Sequence, residues 1–222
     1  MPHLLVADDH PLFRLALAQT VRELLGEARV SEAASLAEAR AALAAAPDID
    51  LVLLDLHMPD SHGLMGLAAL RSEFPAVAVM MISAHDEPAV IRRALAYGAA
   101  GFSPKRSSPA ELKQALRSVL ACEDYVPPAL REAVAAAAPA RSDTDLAARL
   151  GSLSPQQFRV LALVAEGRLN KQIADRLGIQ ERTVKAHMSA IFEKLGVRNR
   201  TQAGVLLRSL ELVDPASRVD EG

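Results

Sequence analysis

Five times in the first 122 residues a short apolar run gives way to a helix-length stretch, and this alternation limits the fold more than any other feature of the chain. His3–Ala7 is followed by Asp8-Asp9 and then by apolar residues at helical spacing over 11–25. Residues 28–33 read as a weak strand, and Ser35 caps a helix to residue 46. The run at 51–54 ends in Asp55, ahead of a helix over 64–74. The run at 76–82 ends in Ser83, ahead of a helix over 87–97 that Gly98 stops. Residues 100–103 form the last strand, and 108–121 the last helix. Strands that alternate with helices in this way predict a parallel sheet covered on both faces, a doubly wound α/β domain.

In such sheets chemistry gathers beyond the carboxyl ends of the strands. Asp8, Asp9, Asp55, Ser83 and Lys105 all fall there. Carboxylates converging on one sheet edge repel one another unless they share a cation, and an all-oxygen donor set with room for water suits Mg²⁺. A divalent ion beside a lysine ammonium makes a site for a dianionic phosphoryl group. An aspartate can act as nucleophile toward phosphorus while the cations neutralise the transferred charge. Asp55, alone on the third strand, is the candidate nucleophile, with Asp8 and Asp9 to hold the metal.

Composition excludes several classes. No apolar run approaches a membrane span, and Met1-Pro2-His3 does not begin a signal peptide. The single Cys122 excludes an internal disulfide and a cysteine-rich zinc site. A cytoplasmic protein is expected. The net charge of −2 hides an asymmetry. Residues 1–122 carry 11 Lys+Arg against 14 Asp+Glu, whereas 153–213 carry 10 against 5. A basic module behind an acidic one points to a polyanionic partner for the second. Between them, residues 123–152 contain Pro127-Pro128, Pro139 and an alanine run, and read as a partly helical linker, with helices at 129–138 and 143–150. Residues 214–222 form an acidic tail.

The basic module reads as four helices. Ser154-Pro155-Gln156-Gln157 carries a cap, a proline at the first helical position and a glutamine to complete a capping box. Helices follow at 155–166, 170–177, 181–195 and 199–210. Two of them are joined by a three-residue turn at Gly178, with Ala174 at the crossing and Val184 packing back into the angle, as in a helix-turn-helix.

Residues 1–122 resemble the receiver domain of bacterial two-component response regulators. The matching pieces are Asp8-Asp9, the stretch from Asp55 through His57 to Gly63, Ser83-Ala84, and Gly101-Phe-Ser-Pro-Lys105. Leu153-Ser-Pro, Asn170-Lys-Gln-Ile-Ala174, Thr183-Val-Lys-Ala-His187 and Lys194-Leu-Gly-Val-Arg-Asn-Arg200 resemble the LuxR-type DNA-binding domain. Together they resemble the NarL/FixJ subfamily. The resemblance implies a flavodoxin-like five-stranded receiver followed by a small all-α four-helix DNA-binding domain. It implies that a sensor histidine kinase phosphorylates Asp55. Asp9, Asp55 and the backbone carbonyl of His57 would ligate Mg²⁺ directly, and Asp8 through water. Ser83 and Lys105 would bind the phosphoryl group. Ser83 would move toward it and the switch aromatic Phe102 would pack inward behind.

The same resemblance places helix 181–195 in the major groove. Lys185, Ala186 and Ser189 are then the base-reading candidates, and Asn170, Lys171, Thr183 and Arg200 the phosphate contacts. One departure stands out: Gln180 occupies a position where the family has a Ser or Thr cap. Phosphorylation would alter either the contact between receiver and DNA-binding domain or receiver dimerisation. A homodimer would read promoter half-sites of double-stranded DNA, with RNA polymerase as a further partner and no membrane role. His57 and His85 occupy the two positions that flank the phosphoryl group in this family and tune its hydrolysis. Two imidazoles there could obstruct the attacking water, make the lifetime depend on pH, or capture a transition metal. Two other readings remain open at this point, an Asp-nucleophile, Mg-dependent phosphohydrolase and a phosphorylation-independent DNA-binding regulator.

Overall fold

The computed structural model describes residues 1–137 and 141–210. The tail at 214–222, the end of the expected 153–213 module and part of the expected linker lie outside the described residues. Strands β1 (His3–Ala7), β2 (Arg29–Ala33) and β3 (Leu51–Asp55) alternate with helices α1 (Pro11–Leu25) and α2 (Leu36–Ala45). A small hairpin, β4 (His57–Met58) and β5 (Ser61–His62), precedes α3 (Met65–Glu73). Then come β6 (Ala78–Ser83), α4 (Pro88–Ala96), β7 (Gly101–Pro104) and α5 (Pro109–Leu120). The five long strands form one parallel sheet in the order β2-β1-β3-β6-β7, as the alternation predicts.

Period two in the strands divides the apolar residues between the faces. Leu5, Val52, Leu54, Val79 and Met81 face α2, α3 and α4. Leu4, Val6, Leu51, Leu53, Met80 and Ile82 face α1 and α5. The central strands are buried at every position, and each fully buried leucine contributes about 1.5–3 kcal/mol of burial free energy. That double covering is why these runs are apolar throughout instead of alternating. The hairpin has strands of two residues each, too short to show a period in the sequence. Its turn carries Asp60, whose carboxylate accepts from the backbone N–H groups of Leu36 and Ala37, each at 2.8 Å, and so caps α2 from a distance in sequence.

Beyond α5, a 3₁₀ turn (Pro128–Leu130) and α6 (Arg131–Ala136) replace the single helix expected over 129–138. Helix α7 (Arg141–Gly151) follows. The C-terminal module is α8 (Pro155–Ala165), α9 (Asn170–Leu177), α10 (Glu181–Leu195) and α11 (Arg200–Arg208). The capping box at Ser154 and Gln157 is present as expected. The left-handed backbone of Gly178, φ 64°, turns the chain between α9 and α10 at little steric cost. Val184 and Ala174 are buried in the angle between these helices.

The stretch 123–152 is less of a spacer than its composition suggests. Leu150 and Leu153 are buried in the same apolar cluster as Leu64, Leu67 and Ile91 of the α/β unit and Phe158 and Leu161 of α8. Polar ties reinforce this seam. Ser72 Oγ donates to Leu153 O at 3.2 Å, and Leu64 N to Leu210 O at 3.0 Å. Arg93 Nη2 donates to Ser209 O at 2.7 Å. Glu73, nearly buried, pairs with Arg40 of α2 (Nη2 to Oε1 at 2.6 Å) and with Arg159 Nε of α8 at 3.3 Å. Among the described residues no helix is long and apolar enough to cross a membrane.

Candidate functional site: an acidic pocket and an exposed helix face

At the carboxyl edge of the sheet the strand ends bring Asp8, Asp55, Ser83 and Lys105 together. β3 is the middle strand of five, so Asp55 at its end stands between the loops that follow β1 and β6. Asp8, Asp55 and Ser83 are buried. Lys105 Nζ lies 2.8 Å from Asp55 Oδ2 and 2.7 Å from Asp8 Oδ2, and 4.7 Å from the centre of the Phe13 ring. A β6–β7 backbone bond, Lys105 N to Ser83 O at 2.7 Å, fixes the lysine beside the serine. Ser83 Oγ accepts from the backbone N–H of His85 at 3.0 Å.

Burial raises the pKa of Asp55, and the charge of Asp8 adds to that; the bond and charge of Lys105 act against it. Burial also opposes the charge on Lys105, but Asp55 and Asp8 together outweigh it and hold the ammonium above its ordinary value. Asp8, Asp9, Asp55 and His10 each place a ligand atom within 4.8 Å of the others. Three carboxylates from two strand ends suit a hard divalent cation, so the residues present fit the Mg²⁺ expected here.

His10 was not among the expected site residues. Its Nδ1 lies 2.8 Å from Asp9 Oδ1 and 3.3 Å from Asp8 Oδ1. The signal was adjacency in sequence to the aspartate pair, masked because His10 also reads as the residue before a helix-starting proline. His57 and His85, two residues beyond Asp55 and Ser83 respectively, come together with ring centroids 5.2 Å apart and edge to face. Phe102, the expected switch aromatic, is fully buried on β7. Unlike a tyrosine, phenylalanine has no hydroxyl to keep at the surface.

On α10, Lys185, Ala186 and Ser189 are exposed on one face. Glu181 Oε1 pairs with Lys185 Nζ at 3.3 Å. Gln180 makes no side-chain cap, as its departure from the family pattern implies. Of the expected phosphate contacts, Lys171 is exposed and Thr183 half-buried. Asn170 and Arg200 are joined to each other, Nη1 to Oδ1 at 3.2 Å, and Arg200 also donates to Arg168 O. The C-terminal module meets the α/β unit through α8 and through Leu153, Ser209 and Leu210, and among the described residues none covers Lys185, Ala186 or Ser189 on α10.

Comparison with known proteins identifies the two parts of the chain. Residues 4–117 match the response regulator receiver domain, and residues 151–207 match the bacterial regulatory proteins of the luxR family. The chain is 40% identical over 207 residues to the glycerol metabolism activator of Pseudomonas putida, covering 91% of this chain and 93% of that protein. It is 36% identical over 205 residues to the nitrate/nitrite response regulator protein NarL of Escherichia coli K12, with the same coverage. A solved structure of RcsB from Salmonella enterica serovar Typhimurium, bound to promoter rprA in the presence of phosphomimetic BeF3-, shares the fold with a TM-score of 0.54 at 24% identity, covering 94% of this chain and 100% of that one. The chain belongs to the response regulators that join a receiver to a LuxR-type DNA-binding domain, the NarL/FixJ type. It is a DNA-binding transcription regulator.

Proposed function

We propose that residues 1–122 accept a phosphoryl group on Asp55 from a sensor histidine kinase and thereby control the binding of residues 153–213 to promoter DNA, with 123–152 between them and an acidic tail at 214–222. The observation that carries this reading is the single ammonium of Lys105 bridging the buried carboxylates of Asp8 and Asp55. An Asp55 oxygen attacks phosphorus, a P–O bond forms, and the P–N bond to the kinase histidine breaks. Asp9, Asp55 and the His57 carbonyl would hold Mg²⁺, with Asp8 acting through water. The ion supplies positive charge against the phosphoryl oxygens. Lys105 pairs with one of those oxygens, and the Ser83 hydroxyl, on the neighbouring strand, donates to another. Hydrolysis returns Asp55 and inorganic phosphate, with His57 and His85 limiting the approach of water. This is self-modification and not turnover of an external substrate.

The signal runs from Ser83 and Phe102 through α4 to the seam where Arg93 reaches Ser209. The open α10 face favours control through the seam or through receiver dimerisation over occlusion of the reading helix. Lys185, Ala186 and Ser189 read base edges, while Asn170, Lys171, Thr183 and Arg200 meet phosphates. The relative solved on its promoter supports double-stranded DNA as the partner, read as paired half-sites by a homodimer in the cytoplasm, with RNA polymerase recruited there. Incubation with acetyl phosphate and Mg²⁺ should add one phosphoryl mass to the intact chain, and Asp55→Asn should abolish it while leaving the fold intact. Undiminished incorporation in that variant would remove Asp55 as acceptor.

A further inference from the structure

His10 stands at the cation site without a role in the proposed phosphorylation chemistry. Its backbone is fixed on both sides. The N–H donates to Asp8 Oδ1 at 2.8 Å, its carbonyl accepts from Arg14 N at 2.9 Å, and Pro11 starts α1 immediately after it. Arg14 Nη1 also donates to Asp8 O at 2.6 Å, which ties this loop to the first turn of the helix. The imidazole therefore starts from a hydrogen-bonded backbone beside the aspartates, and its side chain is 67% exposed.

The separations match those of ligands on one metal. Two donors bound to a first-row cation at about 2.1 Å lie about 3.0 Å apart at a right angle and about 3.4 Å apart at a tetrahedral one. His10 Nδ1 is 2.8 Å from Asp9 Oδ1 and 3.3 Å from Asp8 Oδ1. Asp9 Oδ1 is inaccessible and receives no hydrogen bond of good geometry, so the close nitrogen approaches it without donating well to it. Among the described residues this is the one group of three or more acidic, His or Cys side chains placed to hold a cation, and His10 is its only nitrogen donor.

We propose that His10 Nδ1 is an additional ligand for borderline first-row transition ions at the receiver cation site and not a ligand for Mg²⁺. The chemistry is that of donor type. Mg²⁺ prefers oxygen and retains water, so it fills the carboxylate positions and leaves the imidazole aside. Zinc and its neighbours bind imidazole readily, so for them the ring replaces a water and adds affinity. The chain then discriminates between metals through one side chain that phosphoryl transfer does not use, and a transition ion there would occupy the carboxylates that Mg²⁺ needs.

The inference rests on the cation-site reading above, and the experiment separates the two. Binding of Zn²⁺ and of Mg²⁺ to the full chain is measured by calorimetry, with a chromophoric chelator as competitor for zinc. The component lost with both ions in Asp9→Asn defines the site. In His10→Ala, zinc affinity at that site should fall about tenfold or more, within the 10–100-fold range typical of altered metal-site surroundings, while Mg²⁺ affinity stays within about twofold. With Co²⁺ as the probe, the visible absorption of the wild type should shift in the same variant as the nitrogen donor is lost. An equal effect on both ions, or none on zinc, would overturn the proposal and leave His10 an ion-pair partner of the aspartates. Loss of zinc affinity in His57→Ala with His85→Ala instead of in His10→Ala would also overturn it. Failure of the wild type to bind Mg²⁺ would overturn the cation-site reading itself.

Discussion

The ammonium of Lys105 sits 2.8 Å from Asp55 Oδ2, at the carboxyl end of the middle strand of the sheet. The same nitrogen reaches Asp8, so one cation compensates two buried carboxylates on different strands. Either carboxylate alone would be costly in that position. The arrangement places the proposed nucleophile Asp55, its counter-charge and a second acidic group at one edge of the sheet.

Replacement of Lys105 by alanine leaves Asp8 and Asp55 buried without their counter-ion. Breaking a buried pair by removing one partner costs about 3–5 kcal/mol; the slight exposure of Lys105 argues for the lower end, about 3 kcal/mol. Denaturant unfolding should report this loss in metal-free buffer. Added Mg²⁺ should stabilise Lys105→Ala more than the wild type, since the ion supplies the missing positive charge. Equal stabilisation of both proteins would count against a shared cation site.

The exposed face of α10 carries Lys185, whereas Lys171 lies at the start of α9. Lys185→Ala should relax base preference, costing about 1–3 kcal/mol on the best site. Lys171→Ala should weaken binding to all sequences alike and reduce the salt slope by about one. Binding isotherms on specific and scrambled duplexes at several salt concentrations separate the two. Identical behaviour of the variants would overturn the division into base readers and phosphate contacts.

Glu73 joins three elements, since Arg40 belongs to α2, Glu73 to α3 and Arg159 to α8. Arg159→Ala should loosen the seam between the receiver and the DNA-binding helices, read as a larger radius of gyration by small-angle scattering, with a stability change near that of an exposed pair, about 0.2–1 kcal/mol. Arg40→Ala removes the charged bonds within the receiver and should cost more, about 1.5–3 kcal/mol for a bond to a charged group, without the change in radius. If both variants leave the radius unchanged, the Glu73–Arg159 pair does not hold the seam.

Much of this was legible in the sequence because it rests on local rules. The uninterrupted apolar runs of β1 and β3 announce strands buried on both faces, and each polar residue at a strand end lies at the functional edge by topology alone. Gly178 and the Ser154 capping box announce helix ends through short-range backbone chemistry. What the sequence withheld depends on contacts between distant residues. The hairpin around Asp60 is too short for a periodic signal, and its purpose is a cap on α2. The Glu73–Arg159 tie joins residues that nothing in local patterning connects. The alanine-rich stretch before α8 looked like a spacer because alanine composition does not reveal that Leu150 and Leu153 are buried in a shared core.

His57 and His85 meet edge to face with ring centroids 5.2 Å apart, one beyond the Asp55 strand and one beyond Ser83. Water that hydrolyses phosphoaspartate must approach phosphorus opposite the Asp55 oxygen, from the open side that these loops border. Two rings in contact obstruct that side more than either does alone, because each limits the motion of the other. The double variant His57→Ala with His85→Ala should therefore lose its phosphoryl group faster than the wild type. A change of about tenfold corresponds to 1.36 kcal/mol in the barrier. Each single variant should recover most of that effect, since the remaining ring loses its neighbour. The measurement is the decay of phosphorylated protein after removal of acetyl phosphate, at fixed pH and saturating Mg²⁺. Decay curves that superimpose for all four proteins would remove the pair from the control of lifetime.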